Sequence, residues 1–332
     1  MQTAYSLRYA RGIIMNILIS DYKEELEQVK ESELTLLRDS LPEAVITVLP
    51  YEEKQRSKFI EAISQADALL TAFLPIDEEI IGKAQKLKVI SVMASGYNNI
   101  DIKAAKDKKV GICYVSGYCT NEVADHTMAL LLALHRNLKH YEKDLEERGI
   151  WQYSTIEGGE RLSDMTMAIY GFGKIGRAVA GRAGAFGLKV IVKDPFSADI
   201  ESVTDSYIME HAHIISNHMA ATEENKGYFN REFFQGLKKK PIFLNLGRGI
   251  TVDEEALIEA LEKGYIRGAG LDVLREEPPV LTGHPLLHRE NVILTPHSAF
   301  YSDTSMKELR YRACLNLINY LSGNYSEIRD FL

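Results

Sequence analysis

The sequence predicts an α/β protein made of two doubly wound parallel-sheet domains, and three observations carry that prediction. Short apolar runs alternate with amphipathic segments along nearly the whole chain. The runs are apolar and non-alternating, as in parallel strands covered on both faces. And 332 residues are more than a single hydrophobic core usually supports.

The first clear strand is 15–20, so residues 1–14 read as an N-terminal extension, with Met15 as an alternative start. Strands follow at 45–49, 68–71, 89–93 and 111–115, separated by amphipathic helices at 24–40, 56–66, 77–86 and 101–109. A long helix spans 121–140 with Thr120 as N-cap. Its stretch 128–134 is apolar nearly all round, which suggests burial between two bodies. The segment 149–164 reads as a loop and holds the single tryptophan, Trp151. A second series of strands lies at 165–170, 189–192, 213–216, 242–245, 268–271 and 292–294, and a helix at 302–322 closes the chain.

Composition narrows the function. Thirty-nine Lys and Arg against 47 Asp and Glu leave a net charge of −8, without the basic surplus of a general nucleic-acid binder. Cys113, Cys119 and Cys314 are odd in number and form no C-x-x-C, which fits a reducing compartment without structural zinc. The longest apolar run is seven residues, where a bilayer span takes about 20, and no secretory signal pattern opens the chain. A cytoplasmic protein that neither enters membranes nor binds nucleic acid is the expectation.

The strongest motif follows the strand 165–170. Gly171-Phe172-Gly173-Lys174-Ile175-Gly176 is a G-x-G-x-x-G that runs from a strand into a helix-compatible stretch. Gly171 makes the tight turn, Gly173 admits a pyrophosphate to the backbone, and Gly176 lets helix pack on strand. The helix N-terminus then faces the phosphates. The next strand ends at Asp194, 18 residues after Gly176, near the position of the acid that binds ribose hydroxyls. The pattern indicates a nicotinamide or flavin dinucleotide. The Asp194 carboxylate would repel a 2′-phosphate, which favours NAD over NADP, although Lys193 lies beside it.

Three later strands end in polar residues, which a parallel sheet collects at one edge, where ligands of open α/β sheets bind. Arg248 follows 242–245, Glu277 follows 268–271, and His297 follows 292–294. An Arg can fork onto a carboxylate, a His can pass a proton near neutral pH, and a carboxylate can orient that His and favour its charged form. Singly, Arg248 could be a surface ion pair, Glu277 a solvated acid and His297 a capping histidine. Together, behind a dinucleotide fingerprint, they form a usable set.

These motifs carry a resemblance. Ser95-Gly-Tyr-Asn-Asn-Ile-Asp101, Glu122-Val-Ala-Asp-His-Thr127, the glycine fingerprint, Asn245-Leu-Gly-Arg-Gly249, Gly270-Leu-Asp-Val273 and Thr295-Pro-His297 occur in the order and spacing of the D-isomer-specific 2-hydroxyacid dehydrogenases. The similarity covers nearly all of 15–325, and the stretches 182–187 and 297–302 look most like the branch holding the C-terminal-binding proteins. The resemblance implies a flavodoxin-like substrate domain, residues 15–116 plus 300–332, with a Rossmann NAD-binding domain, 117–299, inserted into it. It implies Arg248 as substrate binder, His297 as acid/base and Glu277 as its partner, with Asp272 near the nicotinamide. Met219, Leu246 and Gly247 join the cofactor set. Ser95 and Gly96 would offer backbone N–H groups to the substrate carboxylate. Tyr97 and Phe300 would wall its side chain, with interdomain packing as the alternative for Phe300. A homodimer is implied, and Ile150 and Trp151 are compatible with contacts across it or within the chain. One departure is His218-Met-Ala-Ala-Thr222, where the family usually has H-x-P-x-T, which puts the local cofactor wall in question.

No P-loop, G-x-S-x-G or H-E-x-x-H is present. His211 with His213, and His284 with His288, read as strand-end or surface histidines, so no metal is expected. The expected activity is NAD-dependent interconversion of a 2-oxo acid and a D-2-hydroxy acid. The alternative is an NAD(H)-sensing dimeric binding protein of corepressor type with little catalysis.

Overall fold

The computed structural model describes residues 15–27 and 29–332; the expected extension, residues 1–14, lies outside them. The chain forms two compact units: one runs to Tyr118 and resumes at Ser302–Leu332, and the other is Cys119–Tyr301. Among the described residues, no helix is long and apolar enough to cross a membrane.

The first unit is built on five parallel strands: β1 (Asn16–Tyr22), β2 (Val45–Tyr51), β3 (Ala68–Thr71), β4 (Val89–Val92) and β5 (Gly111–Cys113). Their order, β2-β1-β3-β4-β5, is that of a flavodoxin-like sheet. Residues of β3 and β4 are wholly buried, which explains their largely apolar composition; the two polar ones, Thr71 and Ser91, donate to Asp21 at 3.0 Å and to the Ala313 carbonyl at 2.8 Å. Leu69 and Ile90 pack in one core with Phe59, Ile63, Ile80 and Ile81 from the covering helices. The expected helix 24–40 is two helices, Lys23–Leu26 and Glu31–Ser40. The second starts afresh because the Glu33 carboxylate accepts the Lys30 N–H at 2.8 Å, a cap that competes with continuous winding. The closing helix Asp303–Leu321 begins at Ser302, whose hydroxyl accepts the Ser305 N–H at 3.0 Å, and rests on β4 through Ser91 and Ala313.

The second unit has six parallel strands: β6 (Thr166–Tyr170), β7 (Lys189–Lys193), β8 (Ile214–Asn217), β9 (Ile242–Asn245), β10 (Gly268–Leu271) and β11 (Val292–Leu294). The order is β11-β10-β9-β8-β6-β7. The Val203 N–H donates to the Val192 carbonyl at 2.9 Å, which lays the following segment beside β7 without completing a strand. Counting that segment as a rank gives the Rossmann sequence of strands, with the direction of winding reversing beside β6. Tyr170, Phe229, Phe234 and Phe243 fill one face of the sheet.

The long helix differs from expectation at both ends. It spans Thr120–His135, so Thr120 is its first helical residue, and Cys119 stands at the cap position without capping the helix through its side chain. It stops at Arg136 because Asn137 adopts a left-handed conformation (φ 53°), and a second helix, Leu138–Glu146, follows. Asparagine tolerates that conformation better than most residues. The buried face of the first helix rests on β9, β10 and the helix Lys174–Ala185 of its own unit.

Candidate active site

The glycine turn joins β6 to the helix Lys174–Ala185, which Gly173 caps. Gly171 has φ +84°, and a Cβ there would come within 2.9 Å of the His218–Met219 backbone. A Cβ on Gly176 would lie 2.1 Å from the Gly171 carbonyl oxygen. Both glycines are therefore required by the protein's own packing. Gly173 is different, because nothing lies within 4 Å of where its Cβ would be. The fold leaves open space there, in front of a helix N-terminus, where a pyrophosphate fits.

At the end of β7, Asp194 accepts the Phe172 N–H at 2.7 Å and the Phe196 N–H at 2.9 Å, one on each carboxylate oxygen. A carboxylate has about four lone-pair sites, so capacity remains for a ribose diol. Arg177 lies over the Phe172 ring at 4.5 Å and forks onto Asp199 at 2.8 and 2.7 Å. The segment without the family's usual proline is held by polar contacts instead. The Thr222 N–H donates to Asn225 at 2.8 Å, and the Asn225 amide donates to the Ala220 carbonyl at 2.7 Å. Burial pushes the His218 imidazole down to about 4, so that ring is neutral at neutral pH, with Nε2 2.8 Å from the Ser216 hydroxyl.

The ends of β8 and β9 are locked by Asn217 and Thr251 together with Asn245, the first residue of the Arg248 motif. The Asn217 amide, fully buried, donates to Asn245 Oδ1 and to the Thr251 hydroxyl, each at 2.9 Å. The Asn245 amide and the Thr251 hydroxyl in turn donate to the Arg248 carbonyl at 3.2 and 2.7 Å. The Arg248 backbone is thus fixed from two sides. Its guanidinium donates to the Gly247 carbonyl at 2.8 Å, and among the described residues it has no carboxylate partner. Gly249 packs directly on the Leu274–Arg275 backbone, where a Cβ would sit 1.8 Å from an oxygen. That close approach brings the Arg248 loop to the loop carrying Glu277.

Asp272, at the end of β10, is 3% exposed and organises the third loop. Its Oδ1 accepts from the Thr295 hydroxyl at 2.5 Å and the Ser298 N–H at 2.9 Å, and its Oδ2 accepts the Ala299 N–H at 3.0 Å. Its backbone carbonyl accepts the His297 N–H at 2.8 Å. His126, from the long helix, stands 3.0 Å from the Thr295 hydroxyl. Thr295 gives its one proton to Asp272, so His126 Nε2 is the donor in that contact. These bonds stabilise His297 in a left-handed backbone conformation (φ 50°), which costs a non-glycine residue about 1 kcal/mol.

His297 Nδ1 lies 2.8 Å from Glu277 Oε2, while Glu277 Oε1 accepts the Leu274 N–H at 3.1 Å. Burial alone would push the Glu277 carboxyl up. The hydrogen bond and charge of His297, the Leu274 N–H and the charge of Arg248 outweigh it and hold the group below the usual carboxylate range. The carboxylate thus fixes one imidazole nitrogen and leaves Nε2 for another partner. The Phe300 ring centroid is 6.1 Å from that of His297. In the second unit, then, Arg248, Glu277, His297, Asp272 and Phe300 gather at the carboxyl edge of the sheet that also carries the glycine turn. Ser95, Gly96 and Tyr97 belong to the first unit, after β4, where the Ser95 hydroxyl donates to the Val115 carbonyl at 3.0 Å and Tyr97 packs 4.8 Å from Tyr114.

The pattern describing the NAD-binding domain of D-isomer-specific 2-hydroxyacid dehydrogenases matches residues 128–299. The chain belongs to that family. It is 32% identical over 310 residues to a glyoxylate reductase of Korarchaeum cryptofilum, covering 90% of each chain. It is 34% identical over 323 residues to the D-3-phosphoglycerate dehydrogenase of Methanocaldococcus jannaschii, covering 95% of its own length and 59% of that protein's. The crystal structure of the TT0316 protein from Thermus thermophilus superposes with a TM-score of 0.85 at 29% identity, over 96% of this chain and all of that one. Membership in the family makes NAD the cofactor and places its binding in the second unit. The open cradle at Gly173 and the remaining acceptor capacity of Asp194 fit it.

Proposed function

We propose that this dehydrogenase reduces a 2-oxo acid to the D-2-hydroxy acid, with Arg248 binding substrate, His297 donating the proton and Glu277 holding His297 in its working state. The observation that carries this reading is the 2.8 Å contact between His297 Nδ1 and Glu277, beside an Arg248 without a carboxylate partner. A guanidinium in that condition suits a substrate carboxylate or carbonyl oxygen. Bound NADH supplies the hydride. His297 Nε2 gives its proton to the oxygen as the carbonyl becomes a hydroxyl, and Glu277 stabilises the charged imidazole before that transfer. In the direction of oxidation the same nitrogen accepts the proton. Asp272 and His126 act on His297 only by positioning its loop.

Ser95, Gly96 and Tyr97 are proposed as substrate contacts from the first unit, and Phe300 as the residue that selects the substrate side chain. Its place beside His297 supports a preference for an apolar side chain of several carbons over glyoxylate. Trp151 and Tyr153, 89% and 83% exposed, are apolar surface that a homodimer could cover. Three buried cysteines outside any disulfide accord with a reducing, cytoplasmic location. The test is NADH oxidation by the purified protein against a panel of 2-oxo acids of increasing side-chain length. Turnover with at least one member is expected. Tight NADH binding without turnover of any member would favour the dinucleotide-sensing alternative.

A further inference from the structure

The second unit has a cavity of about 280 Å³ far from the groups assigned above. Its walls include Ile242 and Gly268, the first residues of β9 and β10, so it opens at the amino edge of the sheet, opposite Arg248 and His297. Arg267 projects here from a pinned backbone: its N–H donates to the Pro241 carbonyl at 3.2 Å, and its own carbonyl accepts from Asn291 at 3.1 Å.

The guanidinium lacks a counterion. Nη2 is 3.1 Å from Nδ1 of His135, Nε is buried without a hydrogen-bond partner, and among the described residues it forms no ion pair. His135 is 7% exposed, and burial together with the Arg267 charge holds its imidazole below the ordinary range, so Arg267 leans on a neutral ring. A second cation, Lys139, lines the cavity and donates to the Arg289 and Val292 carbonyls at 2.7 and 2.8 Å. The charges of Glu290 and Glu142 act on Lys139, but burial and the Lys143 charge outweigh them and hold it below its usual range. Glu290 is taken by His140 at 2.6 Å and by Arg148, and Glu157 is exposed. Glu160 acts on Arg267 only at a distance, and burial still holds Arg267 below its usual range. Partly buried charge without a partner is costly, and the cost falls when an anion enters.

We propose that this cavity is a second ligand site, one that binds a small free carboxylate or phosphate anion on Arg267, with Lys139 and the Gly158–Gly159 backbone around it. Its volume suits a compact anion and is at the lower bound for larger organic ligands, which take about 300 Å³ or more. Planar, forked guanidinium chemistry recognises either oxyanion. The site stands on the Arg267 environment alone and does not depend on the proposed reaction.

Calorimetric titration of the full chain with citrate, and separately with inorganic phosphate, tests it in the parent protein and in Arg267→Met and Arg248→Met variants. At least one anion should bind the parent, lose tenfold or more of its affinity in Arg267→Met, and retain affinity in Arg248→Met. Equal binding by parent and Arg267→Met would overturn the proposal, as would failure of both anions to bind the parent. Sedimentation of the same samples identifies the other source of a carboxylate. If neither anion binds and Arg267→Met dissociates an oligomer, the counterion is an acidic group of a second copy, and the free-ligand site is refuted. Should Arg267→Met not fold, crystals of the parent soaked in selenate decide the matter: an anomalous peak beside Arg267 is expected, and its absence contradicts the site.

Discussion

The glycine turn separates two demands that usually travel together, packing and cofactor binding, and single alanines can pull them apart. Gly176→Ala forces a Cβ to 2.1 Å from the Gly171 carbonyl oxygen, so backbone must move. Overpacking of that kind costs about 1–3 kcal/mol or more. For a domain of this size, 1 kcal/mol lowers Tm by roughly 2–4 °C, so a fall of several degrees is expected. Gly173→Ala meets nothing within 4 Å, and its backbone (φ −73°, ψ −160°) is open to any L-residue. A poorer cap and a stiffer unfolded chain oppose each other, leaving a change within about 1 kcal/mol. The new methyl occupies the space assigned to the pyrophosphate, so NADH affinity should fall at least tenfold, about 1.4 kcal/mol. Thermal unfolding without cofactor and fluorescence titration with NADH read the two effects independently. If Gly173→Ala binds NADH as the parent does, or melts as early as Gly176→Ala, the cradle is misplaced.

Other substitutions address the remaining groups. The Glu277 carboxyl is held below its usual range, so its negative charge persists as pH falls to the lowered value, and it favours the protonated imidazole that reduction consumes. Glu277→Gln should therefore bring the alkaline fall in reduction rate to lower pH; an unchanged pH–rate profile would remove Glu277 from the mechanism. Arg248→Lys loses a planar fork, and charge-assisted hydrogen bonds are worth roughly 1.5–3 kcal/mol each, so kcat/KM should drop about a hundredfold despite the retained charge. The parent should prefer NADH to NADPH, and Asp194→Ala should narrow that margin by removing a like-charge contact; equal use of both cofactors by the parent would contradict the role of Asp194. Phe300→Ala should erode preference for apolar side chains, worth roughly 1.5–3 kcal/mol when fully buried, while sparing the smallest 2-oxo acids. Equal loss on all substrates would make Phe300 a packing residue.

Strand positions were legible because strands buried on both faces must be largely apolar, and β3, β9, β10 and β11 fall where the apolar runs lie. The helix breaks were harder to read. Lys30 is not a typical cap, and it serves as one only because Glu33 folds back on its N–H. The helix expected over 121–140 runs through Asn137, where the chain in fact breaks, because asparagine is among the few residues that accept a left-handed backbone. At the site, Arg248, Glu277 and His297 stood out because each follows a strand and carries chemistry. Their supports did not. Asn217 is 28 residues from Asn245, and His126 is 169 from Thr295, so only the folded sheet brings each pair together. The His297 loop needs the Asp272 carboxylate for three hydrogen bonds, a role that no local spacing announces.

As proposed, this site delivers hydride and proton to a 2-oxo acid with one handedness. Chiral chromatography of the hydroxy acid formed from the best 2-oxo acid with NADH measures that directly. The D-enantiomer alone is expected, formed in step with NADH consumed. An L-product, a racemate, or NADH consumption without hydroxy acid would contradict it.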